Sequence, residues 1–183
     1  MIALETVRLS IRNFRAGDWK ALQEMIIQYK SSKYAAYDHQ WPTSTEKIKE
    51  IAEWFASGDS YLAVCLKDQL IGLVSLTQGA DEGLQEYNLG YVFNFDYHRK
   101  GYASEACRAA VDYAFDRLQA RRVIAGTAVV NVASCRLLEG LGFRRVGEST
   151  CSFKKTDEGN PIEFTGVSFS LSRDEWMSSN KRK

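Results

Sequence analysis

The sequence predicts a single α/β domain built on a mixed, mostly antiparallel twisted sheet of about seven strands with helices on both faces. Its 183 residues, 45% of them apolar, are enough for one core but few for two. Strand-like alternation and helical spacing follow one another in the order β α α β β β α β α β β. That order joins a meander to crossover units, which produces such a sheet. We assign residues 1–177 to the domain and residues 178–183 to a short, frayed polar tail.

The first predicted elements are one strand and two helices. Residues 7–14, VRLSIRNF, alternate apolar and polar side chains as a half-buried strand does, and residues 16–29 then repeat apolar positions at helical spacing. The second helix has Ile48 and Phe55 on one face. Because Thr43 stands three residues before Glu46, a capping-box pattern predicts that this helix starts at Thr43.

A hairpin and a further strand follow. Tyr61–Leu66 and Leu70–Thr77 are typical of two strands joined by a tight turn near residues 67–68. The next strand lies within residues 85–95 and has Gly90 in its interior. A glycine weakens a strand there unless a bulge or a close backbone approach requires it.

The second half of the chain continues with helices and strands. From Tyr102, small residues recur at three- and four-residue steps and predict a helix that packs closely on a sheet. The remaining predicted elements are a strand at residues 121–129, a helix at residues 131–142 ending at Gly142, and strands at residues 143–153 and 161–171.

Charge and hydropathy limit the possible functions. The 24 Lys and Arg residues nearly balance the 23 Asp and Glu residues, so no global basic field attracts nucleic acid or an anionic membrane. No apolar run approaches the roughly 20 residues that span a bilayer, and the first ten residues lack a signal-peptide pattern. We expect a cytoplasmic protein that binds neither nucleic acid nor membrane, and that holds any anion locally.

The cysteines and histidines do not form a metal motif. They are Cys65, Cys107, Cys135 and Cys151, with no C-x-x-C pair, and His39 and His98. No zinc or other metal is expected, and each cysteine is interpreted as a small buried hydrophobe. Cys135 has no local histidine partner, so we do not assign it the role of a nucleophile.

The loop before the central helix is the strongest candidate site. Arg99, Lys100 and Gly101 stand immediately before the helix that starts at Tyr102. A helix N-terminus offers unpaired backbone N–H groups, and a preceding glycine admits a phosphate without a Cβ in the way. We interpret the loop as a pocket for a pyrophosphate, with a solvated surface turn as the alternative. Neither G-x-x-x-x-G-K-[ST] nor G-x-G-x-x-G occurs here.

The surrounding segment, GYVFNFDYHRKGYASEA from Gly90 to Ala106, resembles the acetyl-coenzyme A motif of the GNAT acetyltransferases. It matches G-Y-x-x-x-x-x-Y-x-x-K-G-Y-A-x-E-A of the branch that includes the ribosomal-protein N-terminal acetyltransferases, without a gap. His98 departs from the glutamine or arginine usual at the start of the general family pattern. The segments ETVRLSIRNFRAGDW, NVASCRLLEGLGF and LSRDEW are also similar to that branch, so the resemblance covers nearly the whole chain.

The resemblance implies transfer of an acetyl group from acetyl-coenzyme A, a co-substrate, to a primary amine by direct attack, with both substrates bound together. It implies that the loop and the first helical turn bind the pyrophosphate, and that the end of the preceding strand binds the pantetheine arm. The implied cofactor-binding residues are Val92, Phe93, His98, Arg99, Lys100, Gly101, Tyr102, Ala103, Ser104, Asn131 and Ser134. Without the family match, Asn131 would simply be a helix N-cap.

Three residues are candidates for the chemistry. Asn88 stands where the branch often has an acid, but an amide cannot accept the proton of an ammonium group. Glu86 lies two residues earlier on the same strand face and is our candidate general base, directly or through water. The alternative is a solvated charge at a strand end. By resemblance Ser134 lies near the sulfur and donates a hydrogen bond to the departing thiolate, while the tyrosine of many relatives falls on Leu138.

The acceptor is the least defined part of the prediction. Tyr37, Asp38, His39 and Trp41 are candidate contacts for an amine, but anchoring of their loop on the core is the preferred interpretation. The two candidate acceptors are a protein N-terminus, such as that of a ribosomal protein, and a small-molecule amine. The sequence does not decide between a monomer and a homodimer. The alternatives are a non-catalytic acetyl-coenzyme A-binding sensor or partner-binding module, and an unrelated α/β protein that binds a phosphate at Gly101.

Overall fold

The computed structural model describes residues 2–79 and 82–180. This part of the chain contains eight strands and five α-helices. The strands are β1 (Ala3–Glu5), β2 (Leu9–Asn13), β3 (Tyr61–Leu66), β4 (Gln69–Gln78), β5 (Glu86–Phe93), β6 (Arg122–Ala128), β7 (Arg144–Lys155) and β8 (Pro161–Ser172). The helices are α1 (Trp19–Lys30), α2 (Thr45–Ala56), α3 (Tyr102–Asp116), α4 (Val132–Gly140) and α5 (Arg173–Asn180).

The strands form one open mixed sheet in the order β1-β2-β3-β4-β5-β6-β8-β7. β5 and β6 pair in parallel, and β1–β2, β2–β3, β3–β4, β6–β8 and β7–β8 pair antiparallel. The predicted α/β class and mixed, mostly antiparallel sheet are therefore confirmed. The additional strand is β1, whose three residues are too few to show an alternating pattern.

The predicted boundaries that differ from the structure include the start of α2 and the start of the C-terminal tail. The N-cap of α2 is Ser44, whose side chain accepts a hydrogen bond from the Lys47 backbone at 3.4 Å, so the helix starts one residue later than a cap at Thr43 requires. At the other end of the chain, α5 continues to Asn180. The predicted frayed tail therefore does not begin at residue 178, and residues 181–183 lie outside the described part of the chain.

The chain divides into two compact units. The first comprises the residues up to Lys33, Trp41–Thr77 and Gly90–Ala110. Its core lies where α1 and α2 cover the β2–β4 strands, with Leu22, Ile48 and Phe55 almost completely buried. The Phe55 ring stacks on Tyr61 at a centroid distance of 4.0 Å, which fixes the end of α2 against the start of β3.

The second unit comprises Tyr34–Gln40, Gln78–Leu89 and the residues from Val111 onward. Its core lies along the β6–β8 ladder, where Val123, Phe169 and Leu171 are buried. β7 forms a long hairpin with β8 and is mostly exposed, apart from Cys151 and Lys154, which are partly exposed.

Three of the four cysteines are buried as predicted. Cys65, Cys107 and Cys135 are buried, whereas Cys151 on β7 is only partly so, and all four are free thiols. The prediction of a buried hydrophobe is therefore wrong for Cys151, because β7 leaves most of its side chains in solvent.

Candidate functional site

The loop between β5 and α3 has an alternating backbone conformation. The angle φ is +58° at Arg99 and +80° at Gly101, while Lys100 between them is outside the positive region. Residues that alternate in this way direct successive backbone N–H groups into one concavity and form anion-binding nests. Because positive φ is uncommon for a residue with a Cβ, the surrounding structure must hold Arg99 in place.

The first turn of α3 continues this concavity. The Glu105 N–H donates to the Gly101 carbonyl at 3.0 Å, which closes the first turn. The amides of Tyr102, Ala103 and Ser104 precede that bond, and the opening amides of a helix have no intrahelical acceptor. The nest and the positive end of the helix dipole therefore occur within the same six residues, an arrangement suited to a phosphate.

The two cations of the loop are placed differently. Both are exposed, but the Lys100 ammonium donates to the Asp96 carbonyl at 2.8 Å and lies 5.4 Å from the centroid of the Tyr97 ring. Its charge is thus fixed beside the turn that precedes the loop. The charge of Arg99 belongs to the residue whose φ is positive, within the loop itself.

His98 connects the loop to the end of β5. Its Nε2 lies 3.0 Å from the Phe93 carbonyl oxygen, to which it donates in the tautomer protonated on Nε2. The Phe93 side chain is buried, and its ring fills the space that a side chain at Gly72 would need. Val92 also packs against the first unit's core. The end of β5 is therefore held rigidly next to the loop.

A buried polar residue that the sequence did not single out fixes the start of the loop. Asn94 is 5% exposed. Its backbone N–H donates to the Ile71 carbonyl at 2.9 Å, and its side chain accepts from the Asp96 amide at 3.0 Å and donates to Glu24 at 3.1 Å. Since Asn caps and turns are common after strands, the residue type was the available signal, but its partner on α1 was not visible.

Glu86 and Asn88 lie on β5 within the second unit. Glu86 faces Arg122 across the parallel ladder, and the Arg122 Nε lies 2.6 Å from a Glu86 carboxylate oxygen. The Glu86 side chain is 15% exposed and forms an ion pair with Arg122 at the first residue of β5. Asn88 is exposed and pairs with Ile124, where the parallel ladder ends.

Asn131 and Ser134 meet at the start of α4. The Asn131 side-chain oxygen accepts a hydrogen bond from the Ser134 backbone N–H at 3.3 Å, so Asn131 is the N-cap of this helix. The NH₂ group of the Asn131 side chain takes no part in this hydrogen bond. Leu138 is fully buried, and its side chain contributes no proton donor.

The candidate acceptor contacts make anchoring interactions. Within the second unit, the Tyr37 ring lies 5.3 Å from Phe164 and the His39 ring lies 4.3 Å from Phe153, both centroid distances. Within the first unit, Trp41 lies edge-on to a core phenylalanine. Asp38 accepts a hydrogen bond from the next backbone amide at 2.7 Å. These contacts agree with the preferred interpretation of an anchored loop.

Cys135 is not activated. Burial raises the pKa of its thiol, and its Sγ lies 4.0 Å from the Val129 carbonyl. Among the described residues, no three His, Cys, Asp or Glu side chains are grouped closely enough to hold a metal ion. No helix in residues 2–79 and 82–180 is long and apolar enough to cross a membrane.

Comparison with known proteins gives consistent matches over most of the chain. Residues 8–144 match the family model described as acetyltransferase (GNAT) domain. YnaD, an uncharacterized N-acetyltransferase of Bacillus subtilis, is 33% identical over 148 residues, which cover 79% of this chain and 84% of the relative. YdaF of the same organism, provisionally named a ribosomal N-acetyltransferase, is 28% identical over 176 residues, 92% of this chain and 93% of YdaF.

A solved structure agrees with these matches. The crystal structure of a GNAT-family acetyltransferase from Bacillus anthracis superposes with a TM-score of 0.80 at 27% identity, covering 94% of this chain and 99% of that one. The sheet and helices described above are therefore those of a known acetyltransferase architecture.

Proposed function

We propose that this chain, which belongs to the acetyltransferase (GNAT) family, transfers an acetyl group from acetyl-coenzyme A to a primary amine in a ternary complex. The amine nitrogen attacks the thioester carbonyl, the carbon–sulfur bond breaks, and the products are an amide and coenzyme A. The observation that carries the proposal is the nest formed by Arg99 and Gly101 at the start of α3.

The cofactor's diphosphate would bind to the backbone amides of residues 99–104, with the charges of Arg99 and Lys100 beside it. The acetyl-coenzyme A thioester supplies the activated acetyl group. The backbone of Val92 and Phe93 would hold the thioester and the pantetheine arm. Because the Asn131 oxygen is engaged with Ser134, its NH₂ group would donate to a carbonyl of that arm.

Two side chains would manage the protons. Glu86 would take the proton of the attacking amine, directly or through a water molecule, from its position opposite Arg122. Ser134 would donate a hydrogen bond to the departing sulfur. Asn88 would bind the amine by hydrogen bonding without taking up its proton.

The acceptor would be a protein N-terminus or a small-molecule amine. The similarity to YdaF favours a ribosomal protein as one acceptor to be tested. A near-neutral chain offers no field that would select a polycation.

A second candidate function is a non-catalytic acetyl-coenzyme A-binding sensor or partner-binding module. The exposed amide of Asn88 and the buried Leu138 favour it, because neither side chain can take up or give a proton in the reaction. The third alternative, an unrelated α/β protein, is wrong because the chain belongs to the acetyltransferase family.

Thiol release separates the two candidates. Purified protein, acetyl-coenzyme A and a panel of N-terminal peptides, polyamines, amino acids and aminoglycosides should give free thiol with at least one amine, and coenzyme A should raise the Tm. Stabilisation without turnover on any amine would instead support the sensor. The control is Gly101→Ala: its Cβ would be strained at φ +80° and would lie 3.2 Å from an arginine nitrogen, so stabilisation by coenzyme A should be lost.

A further inference from the structure

A charged network ties the bend between β1 and β2 to the first turn of α3. Glu105 of α3 accepts hydrogen bonds on both carboxylate oxygens. Thr6 Oγ1 and the Arg8 backbone N–H reach one oxygen at 2.6 and 2.9 Å, and Arg8 Nε reaches the other at 2.7 Å. Arg8 Nη2 also lies 2.7 Å from that second oxygen, so the guanidinium binds the carboxylate with two nitrogens.

The other side of the Arg8 guanidinium lies against the loop between β5 and α3, residues 94–101, which we call the phosphate loop after the proposed function. Its Nη1 donates to the Lys100 carbonyl at 2.9 Å, and its central carbon lies 4.5 Å from the centroid of the Tyr102 ring. Its Nη2 would be 3.2 Å from a Cβ at Gly101. Arg8 therefore contacts Lys100 and Tyr102, and the missing Cβ of Gly101 between them leaves room for Arg8 as well as for a phosphate.

The negative charge of Glu105 gives the Arg8–Glu105 contact a role in anion binding at the start of α3. A carboxylate in the first turn of α3 occupies the same positive helix end that a phosphate would use, and two anions there repel each other. Burial raises the pKa of the Glu105 carboxyl, but hydrogen bonds from Thr6 and Arg8 outweigh it and hold the pKa below its ordinary value. The carboxylate is thus ionised at neutral pH, and Arg8 is the partner that carries a compensating charge.

We propose that Arg8 is a positioning residue for the cofactor's diphosphate: it holds the Lys100 carbonyl so that the Arg99–Gly101 nest keeps its shape, and it neutralises Glu105 at the same helix end. This inference rests on the proposed function, which supplies the identity of the anion. The Arg8 side chain is 42% exposed, and the network buries the Glu105 side chain to 17% exposure.

Calorimetric titration with coenzyme A and with pantetheine tests the inference, because only coenzyme A contains the diphosphate. Arg8→Met should raise the Kd for coenzyme A on the order of tenfold, the loss expected for one charge-assisted contact, and leave the Kd for pantetheine unchanged. Arg8→Lys should fall between, since an ammonium keeps the charge but loses the fork of donors.

The double variant separates charge from packing. Arg8→Met with Glu105→Gln removes both charges and should recover part of the affinity lost in Arg8→Met alone. The matched control is Arg145→Met, which breaks another exposed Arg–Glu pair, at 3.1 Å, within the second unit and should not alter the Kd. If Arg8→Met does not fold, Arg8→Lys and Glu105→Gln are titrated with coenzyme A and pantetheine in its place.

The outcomes distinguish this inference from the proposed function. If the wild-type protein does not bind coenzyme A, both are overturned. If the wild type binds but Arg8→Met and Arg8→Lys bind equally well, only the inference is overturned. Equal losses for coenzyme A and pantetheine would also overturn it, because they would show a general structural role for Arg8.

Discussion

At the scale of single residues, close packing between strands depends on neighbours that are distant in the sequence. Gly90 is an example, since a Cβ there would lie 2.6 Å from the Ser75 hydroxyl oxygen. The sequence required a bulge or a close approach at Gly90, and the structure supplies the close approach. The partner residue, Ser75 on β4, could not be predicted from the strand pattern.

Gly90→Ala should destabilise the protein by about 1–3 kcal/mol, as expected for overpacking in a well-packed strand pair. The Ser75 Cβ would be 4.0 Å away, an ordinary contact, so the same substitution in a Ser75→Ala background should cost much less. Urea denaturation of the four proteins measures the coupling. Equal costs in the two backgrounds would contradict the steric explanation.

Glu86→Gln should lower kcat/KM and change its pH profile, because Gln cannot accept the amine proton. Asn88→Asp in the Glu86→Gln background should restore part of the rate, since it places a carboxylate two residues along the same strand face. Glu139→Gln, which also removes an ion-paired carboxylate, is the control. An unchanged profile in Glu86→Gln would remove Glu86 from the mechanism.

Ser134→Ala should lower kcat on the order of 10² at most, the effect of one hydrogen-bond donor to a leaving group that is already acidic. The KM for acetyl-coenzyme A should change little. Ser178→Ala on α5 serves as the control because its hydroxyl only donates to a backbone carbonyl of its own helix. A kcat equal to that of the wild type would show that the sulfur departs without help from Ser134.

At the scale of elements, the start of α3 combines three local requirements in seven residues: positive φ at Arg99 and Gly101, open first-turn amides, and a carboxylate held in that turn. The helix itself was predictable from its small-residue spacing. The start of α5 was missed although its signal was present. Ser172 and Glu175 form a capping box in which the Glu175 side chain accepts from the Ser172 amide at 2.8 Å and the Ser172 hydroxyl accepts from the Glu175 amide at 3.3 Å.

The Glu105 network should contribute stability that depends on pH. The folded-state pKa of Glu105 is lowered, so its contribution is present above the unfolded-state value of about 4.3 and is lost as the pH falls through the folded value. The stability difference between wild type and Glu105→Gln, measured by urea denaturation, should be largest near pH 7 and shrink below about pH 4. A difference independent of pH would show that shape rather than charge matters here.

At the scale of the whole molecule, the chain has the architecture and the sequence of an acetyltransferase, while its acceptor, its cytoplasmic location and its oligomeric state stay predictions. The two compact units divide the candidate residues: the phosphate loop belongs entirely to the first, and Glu86, Asn88, Asn131 and Ser134 belong to the second.

Thiol reactivity should report on folding of the whole chain. Burial raises the pKa of the thiols of Cys107, Cys65 and Cys135, whereas Cys151 is partly exposed. A thiol reagent should therefore modify one cysteine in the native protein and four in denaturant, and Cys151→Ser should remove the native reaction. Rapid modification of a second thiol in the native protein would contradict this burial.

The sequence by itself determined the order of the helices and strands apart from β1 and α5, the position of the loop before α3 and the resemblance to the acetyltransferases, because these depend on residues that are close together in the chain. Tertiary structure decided which partners those residues have. Arg8 reaches Glu105 across 97 positions, and Glu86 meets Arg122 only through the register of a parallel strand pair. Such pairs depend on packing between distant segments, which neither residue type nor local spacing specifies.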